Sequence, residues 1–479
     1  MNRLSALAPR YDLIVIGGGI SGAGIFREAA RAGVSVLLVE ARDFASGTSS
    51  WSSKLVHGGL RYLAGGEWRL TAESVRERQR LLHEAPDLVE RLPFLMPAYQ
   101  GMRPARWKIR IGLWAYDCFA WGSGTRSKNL NAAATLQMAP QLAPPQLKGG
   151  LVYQDARTDD CRLVWRLIAQ GQRDGGTALN YVRAEQVLQV QGRVCGVALH
   201  DAETGESREI SAGVVINATG ACAEGLPGQP AGAPKLRPLR GSHLVFPHAR
   251  LPLACAVSFF HPRDRRPIFA YPWQGATLLG TTDLDHREDL WNPRMTHAEA
   301  DYLLEGLDWL MPAVGLNAGE ALSCFAGVRP VVDDGDGSPS SASRESASWA
   351  SPGFVGITGG KLTTFRVTAR QVLAEAARQL PALHLAADDA PLFDQPRAES
   401  PAHAPTQAQI EARASEQVHH LDDLLLRRSR AGLVLPDFAE SMIGPALAAC
   451  RSTLGWDDAR CADEVTAYRQ RMCTYHAVP

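Results

Sequence analysis

The chain has 479 residues, more than one ordinary hydrophobic core accommodates, so two or three domains are expected. Its 50 basic and 50 acidic residues cancel, which excludes a global attraction to nucleic acid and makes any anion site a local arrangement. The nine cysteines show neither C-x-x-C nor zinc-like spacing, so reduced thiols and no metal centre are expected. No apolar stretch is long enough to span a bilayer and no apolar leader precedes the first strand pattern, which points away from secretion and membrane insertion.

Residues 11–40, YDLIVIGGGISGAGIFREAARAGVSVLLVE, read as strand, glycine turn, helix and second strand. Gly17, Gly19 and Gly22 form G-x-G-x-x-G, with Gly18 inside the turn. The first glycine allows the tight turn, the second lets backbone approach a pyrophosphate, and the third lets the helix pack on the strand. A helix predicted over 20–32 directs its N-terminal N–H groups at the phosphates. Glu40 closes the second strand about 20 residues on, where an acid accepts hydrogen bonds from a ribose hydroxyl. Like charge there opposes a 2′-phosphate, so FAD or NAD is favoured over NADP.

The polar, glycine-rich stretch 41–64 does not return at once to a third strand, which separates an FAD-type domain from a plain NAD domain. A helix is predicted over 70–91, with Val75, Leu81, Leu82 and Leu88 on one face. Strand patterns recur at 179–182, at 187–190 and 195–199 around Gln191-Gly192, and at 214–217 running into Ala218-Thr219-Gly220. This distant strand is expected to complete the nucleotide-binding sheet. Residues 221–350, with strand patterns at 242–246, 268–271 and 277–279, form an inserted domain capping the reactive side of the cofactor. GFVGITGGK (353–361) is a further strand leading to a helix over 362–380, whose N-terminus suits negative charge developing on a flavin ring. Residues 384–409, rich in Ala, Pro and acids, read as a linker. Residues 410–479 read as helical, with 420–430 and 459–472 the best segments.

The segment TSSWSSKLVHGGLRYL (48–63) resembles the FAD-dependent glycerol-3-phosphate dehydrogenase family, the aerobic, membrane-associated type. Similar pieces follow in the family's order: RIGLWAYD (110–117), YQDARTDDCRLV (153–164), NATG (217–220), RGSHLVFP (240–247), GTTD (280–283), AGVRPVVDD (326–334) and GGKLTTFR (359–366). The resemblance implies an α/β architecture: a Rossmann-like FAD-binding domain of the glutathione-reductase/D-amino-acid-oxidase type (1–220 plus 351–383) with an inserted α+β substrate-binding cap (221–350). A linker (384–409) and a short helical C-terminal region (410–479) follow. It implies noncovalent FAD and oxidation of sn-glycerol 3-phosphate to dihydroxyacetone phosphate. Electrons would pass to membrane quinone from a peripheral position on the inner face of the cytoplasmic membrane. It makes Gly17, Gly18, Gly19, Gly22, Glu40, Thr48, Ser49, Ser53, Gly220, Gly360, Lys361 and Leu362 cofactor contacts. His57, Arg61, Tyr62, Arg329, Arg344 and Lys361 then form the active site. The other readings are a same-fold oxidase using dioxygen, a dehydrogenase of another phosphorylated or carboxylated hydroxy compound, and a flavin-binding protein without turnover. Intact His57, Arg61, Arg329 and Lys361 argue against the last.

Arginines and a lysine converging in a neutral protein suit a dianionic phosphate monoester, for which Arg61, Arg329 and Arg344 supply planar bidentate donors. Oxidation of a secondary alcohol also needs a base, and His57 and His243 both sit in motif segments. Arg329, always charged, suits stabilisation of the alkoxide. Asp155, Asp159 and Asp160 precede a helix from Arg162, and capping explains at least one of them. His419-His420 reads as a solvated pair without a partner cluster. Residues 183–186 lie where adenine meets backbone groups in related flavoproteins. Two segments, 103–121 and 362–380, mix aromatic, aliphatic and basic side chains; burial explains either segment, and the resemblance to a peripheral membrane family adds an interfacial reading. The C-terminal region is shorter than the family's, only HHLDDLLLRRSRAGL (419–433) resembling it. The shortening bears on acceptor contact and homodimer formation, and leaves the flavin and phosphate motifs untouched.

Overall fold

The structure is a computed structural model that describes residues 3–60, 63, 66–102, 104–119, 126–333, 346–394 and 403–479. Arg61, Tyr62 and Arg344 lie outside the described residues. The fold is α/β, with two large sheets and helices packed on them.

The strand Arg10–Ile16 lies at the centre of the first sheet, parallel to Val36–Val39 on one side and Ser207–Asn217 on the other. Val36–Val39 pairs in parallel with Thr177–Leu179, and Ser207–Asn217 with Phe354–Gly359. Leu13, Ile14, Val15, Leu37, Leu38, Val214, Val215 and Ile216 are all fully buried. That is why these strands are continuous apolar runs without alternation: a parallel sheet is covered on both faces. Helices Ile20–Arg31, Asp160–Arg173 and Phe365–Ala377 cover one face. The hairpin Val182–Val190 and Arg193–Asp201 lines the other.

The second sheet differs from the expected division at residue 220. Val89–Tyr99 and Leu147–Thr158 form a long antiparallel pair, and Val89–Tyr99 runs parallel to Ala256–Phe260. Residues 89–158 therefore share a ten-stranded sheet with Leu236–Pro247, Pro267–Trp273, Ala276–Gly280 and Ser323–Val332. Local pattern cannot reveal this, because the deciding partner, Ala256–Phe260, lies far along the chain. The helix predicted over 70–91 is Trp68–Glu84. Pro86 cannot continue it, and the chain turns into the strand from Val89.

Two further expectations change. The first part of the expected linker is packed: Leu392 and Phe393 are buried, and Arg27 Nε, Arg31 Nη1 and Arg80 Nη2 donate to the carbonyls of Leu392, Pro391 and Ala390 at 3.1, 2.7 and 2.9 Å. The helix predicted over 362–380 is Phe365–Ala377, and of its two readings, burial and an interfacial surface, burial holds: Phe365, Val372 and Leu373 are buried and Arg366 pairs with Glu77 and Asp388. That segment is core. At the C-terminus, Gln407–Ala412, Glu440–Leu454 and Asp458–Tyr475 pack with a π-helical turn, Asp423–Arg428, against the second sheet. The best helical segment expected at 420–430 is mostly this wide turn.

Candidate active site

Three turns meet at the ends of the parallel strands. Gly17 has φ +109, and a Cβ there would lie 2.6 Å from the Ala218 carbonyl oxygen; one on Gly22 would lie 1.8 Å from that of Gly17. Both positions require glycine. Helix Ile20–Arg31 starts from Gly19 with no side-chain cap from that residue and no acid in its first turn, so its positive end is uncompensated from within. The loop Thr48–Ser50 lies over this start: Ser49 Oγ accepts from Ile20 N at 2.9 Å, and Thr48 Oγ1 donates to Val328 O at 2.5 Å. Glu40 is buried, accepting from Gly18 N at 2.7 Å and Arg42 N at 3.0 Å. Burial raises its pKa, which the two N–H groups oppose. Val182 N bonds to Glu40 O at 2.8 Å, so residues 183–186 lie beside this turn. On the other side, Gly220 O accepts from Thr358 Oγ1 at 2.9 Å, bringing Gly220 to the strand that ends in Gly359 and Gly360. Leu362 packs on the core behind. Crowded glycines, an anion-ready helix start and a buried acid are the donor set and cradle that a dinucleotide requires, and FAD fits them.

His57, His243 and Arg329 gather around Gly280 and Thr281, at the end of the strand Ala276–Gly280. Phe269 and His243 both pair across to Gly280, and His57 packs on Phe269 with ring centroids 5.6 Å apart. Arg329 Nη2 donates to Thr281 Oγ1 at 2.9 Å, and Nη1 to Asp283 Oδ1 at 3.0 Å, so GTTD serves to anchor this guanidinium. His57 is 38% exposed and donates or accepts at Nδ1 with Asp155 Oδ2, 3.1 Å away. His243 is buried and stacked on Phe325, with Nε2 3.0 Å from Ser53 Oγ and Nδ1 without a hydrogen-bond partner among the described residues. Burial, then Arg329 and Lys54, hold it well below the usual histidine range, so it stays neutral. Lys361 lies beside helix Trp68–Glu84, where burial and Glu77 raise the Glu73 pKa against its charge.

Beneath the site is a buried charge network that residue-by-residue reading missed. Lys54 is fully buried, with Nζ bonded to Ser50 O at 2.7 Å and Asp160 Oδ1 at 3.1 Å; burial lowers its pKa to about 8 against the pull of Asp160. Arg430 Nε meets Asp159 Oδ1 at 3.0 Å, and its Nη2 bonds Asp160. Arg427 and Arg428 hold Asp43 at 2.5 and 2.7 Å. The retained C-terminal segment therefore grips both loops of the cofactor cradle, whereas the sequence places it apart from the flavin motifs. Its basic run, RRSR, was the available signal. His419-His420 is likewise partnered: His420 meets Glu464 at 2.9 Å and Glu203 at 3.2 Å, and Asp423 accepts from both backbone N–H groups.

The family described as FAD dependent oxidoreductase matches residues 12–375. The aerobic glycerol-3-phosphate dehydrogenase of Bacillus subtilis is 37% identical over 367 residues, covering 76% of this chain and 66% of that protein. Its namesake from Staphylococcus haemolyticus is 36% identical over 375 residues, covering 77% of this chain and 67% of that protein. The chain spans about two thirds of the length of these relatives. Among solved structures, the glycerol-3-phosphate dehydrogenase from Bacillus halodurans complexed with FAD superimposes with a TM-score of 0.76 at 26% identity, over 96% of this chain and 95% of that one. The L-alpha-glycerophosphate oxidase from Mycoplasma pneumoniae shares the fold, with a TM-score of 0.63 at 20% identity over 81% of this chain and 99% of that one. With its cradle, its matched residues and these relatives in agreement, the chain belongs to the FAD dependent oxidoreductase family.

Proposed function

We propose that this protein oxidises sn-glycerol 3-phosphate to dihydroxyacetone phosphate and delivers the electrons to a membrane quinone. The observation that carries this reading is that a carboxylate-held imidazole, His57, and the anchored guanidinium of Arg329 both reach the end of the strand Ala276–Gly280, in a chain whose relatives are named for this reaction. FAD, when bound, supplies the hydride acceptor. His57 accepts the hydroxyl proton, its exposed edge being the imidazole surface open to a ligand. Arg329 keeps its charge and stabilises the alkoxide and the phosphate oxygens; its bonds to Thr281 and Asp283 fix the plane of the fork. Lys361 adds a point charge just ahead of helix Phe365–Ala377, whose first turn carries no acid. Arg61, Tyr62 and Arg344, outside the described residues, are assigned to phosphate binding in this proposal by the resemblance alone.

A peripheral membrane position is supported by helix Arg106–Phe119. Trp107, Ile111 and Trp114 are 59, 56 and 68% exposed there, spaced to share one face, beside Lys108 and Arg110. Large aromatics with flanking cations suit the headgroup layer. Among the described residues no helix is long and apolar enough to cross a membrane.

Anaerobic addition of glycerol 3-phosphate to the holoenzyme tests the half-reaction: bleaching of the flavin absorbance is expected, and no bleaching overturns it. Peroxide release without quinone reduction in air would transfer the acceptor to dioxygen.

A further inference from the structure

We infer that Asp155 is the positioning residue of His57, holding Nδ1 as a donor so that Nε2 is the atom that takes the substrate's hydroxyl proton. This rests on the reading of His57 as the proton acceptor. The three acids of YQDARTDD, which all read as capping candidates, have separate tasks. Asp159 is the N-cap of helix Asp160–Arg173, accepting from Cys161 N and Arg162 N. Asp160 neutralises Lys54 and Arg430. Asp155 belongs to the strand Leu147–Thr158, five residues before the start of that helix.

The carboxylate of Asp155 is buried and surrounded by donors from separate elements. One oxygen, Oδ2, faces His57 Nδ1 at 3.1 Å. The other accepts from Gly58 N at 3.0 Å, from Tyr116 OH at 2.7 Å and from Arg78 Nη1. Arg78 is itself fixed by the Gln154 carbonyl at 2.9 Å. Burial by itself would raise the carboxyl pKa, yet Arg78 and the His57 hydrogen bond hold it at about 2. An ionised carboxylate can only accept, so the imidazole nitrogen opposite it must carry a proton. The neutral ring then has a bare Nε2, the lone pair a base needs. Among the described residues Nε2 has no hydrogen-bond partner. Phe94 and Phe269 flank the ring with centroids at 5.7 and 5.6 Å. When the hydroxyl proton passes to Nε2, the imidazolium lies against a carboxylate whose geometry is already set, so no reorganisation is required at that moment.

The test is made on the holoenzyme with isotope-labelled histidine. Long-range proton–nitrogen spectra, with His57 assigned by its loss in His57→Gln, are expected to show the Nδ1–H tautomer; an Nε2–H tautomer overturns the proposal. In Asp155→Asn the tautomer preference is expected to be lost. Its kcat with glycerol 3-phosphate should fall by about 10²–10⁴-fold, while KM changes only a few-fold. Unchanged kcat in a folded, flavin-loaded variant overturns the proposal. The wild-type spectrum needs no variant of Asp155, so instability of Asp155→Asn does not shelter the idea. If glycerol 3-phosphate fails to bleach the wild-type flavin, the substrate reading falls, while the tautomer still decides the role of Asp155.

Discussion

Arg430→Met should disable the link between the C-terminal segment and the cofactor loops. Arg430 is fully buried and neutralises Asp159 and Asp160 together with Lys54, so the cluster holds paired charges of both signs. Its Nη1 also lies 3.4 Å from the Ser50 carbonyl, which Lys54 shares. Removing one member leaves an uncompensated buried carboxylate, which costs about 3–5 kcal/mol, against a total of roughly 5–15 kcal/mol for a folded protein. Because Ser50 ends the loop over the start of helix Ile20–Arg31, the loss should register as early flavin release. The assay is the guanidinium midpoint followed by flavin fluorescence for the wild type, Arg430→Met, Asp159→Asn and the double variant. An asparagine in place of Asp159 still caps the helix and leaves Lys54 balanced by Asp160, so the double variant should recover about 1–3 kcal/mol relative to the sum of the singles. Strict additivity would refute the charge-balance account.

Gly22→Ala places a methyl 1.8 Å from the Gly17 carbonyl oxygen, so the purified variant should be largely free of FAD, as read from its absorbance ratio. Arg329→Ala removes charge-assisted bonds of about 1.5–3 kcal/mol, so kcat/KM for glycerol 3-phosphate should fall by about 10–150-fold; unchanged steady-state kinetics would remove Arg329 from the phosphate pocket. His420 carries a pH signature. Burial lowers its affinity for the proton, but the hydrogen bonds it donates to Glu203 and Glu464 prevail and raise its pKa to about 10 from 6.5. A raised folded-state pKa makes this contribution complete below pH 6.5 and lost as pH rises through 10. The Tm advantage of wild type over His420→Gln should therefore shrink steadily between about pH 7 and 10, and a constant difference would contradict it.

The β-α-β unit was legible because each of its parts is local. Apolar runs, close-packed glycines and the acid at Glu40 all lie within one short stretch of chain, and Gly17 and Gly22 leave no room for any other residue. The membership of 89–158 in the second sheet was not legible, since Val89–Tyr99 is drawn there by Ala256–Phe260. The candidate site positions His57 and Arg329 stood out as motif members, yet Asp155 did not. Its neighbours in sequence, Asp159 and Asp160, do cap and neutralise, and nothing in YQDARTDD distinguishes an acid that faces His57 from one that faces a helix.

By itself, then, the sequence determined the cofactor class and the residue types available at the candidate site, because backbone sterics and side-chain chemistry at those positions are intrinsic to the residues. Only the tertiary structure decided which charges meet. It turned a His419-His420 pair expected in solvent into a partnered latch, a helical region expected beyond a linker into the clamp that Arg427, Arg428 and Arg430 place on Asp43, Asp159 and Asp160, and a capping candidate into the carboxylate that faces His57. Burying a charge is tolerated only opposite its complement, and that complement is chosen by three-dimensional proximity across hundreds of residues of chain.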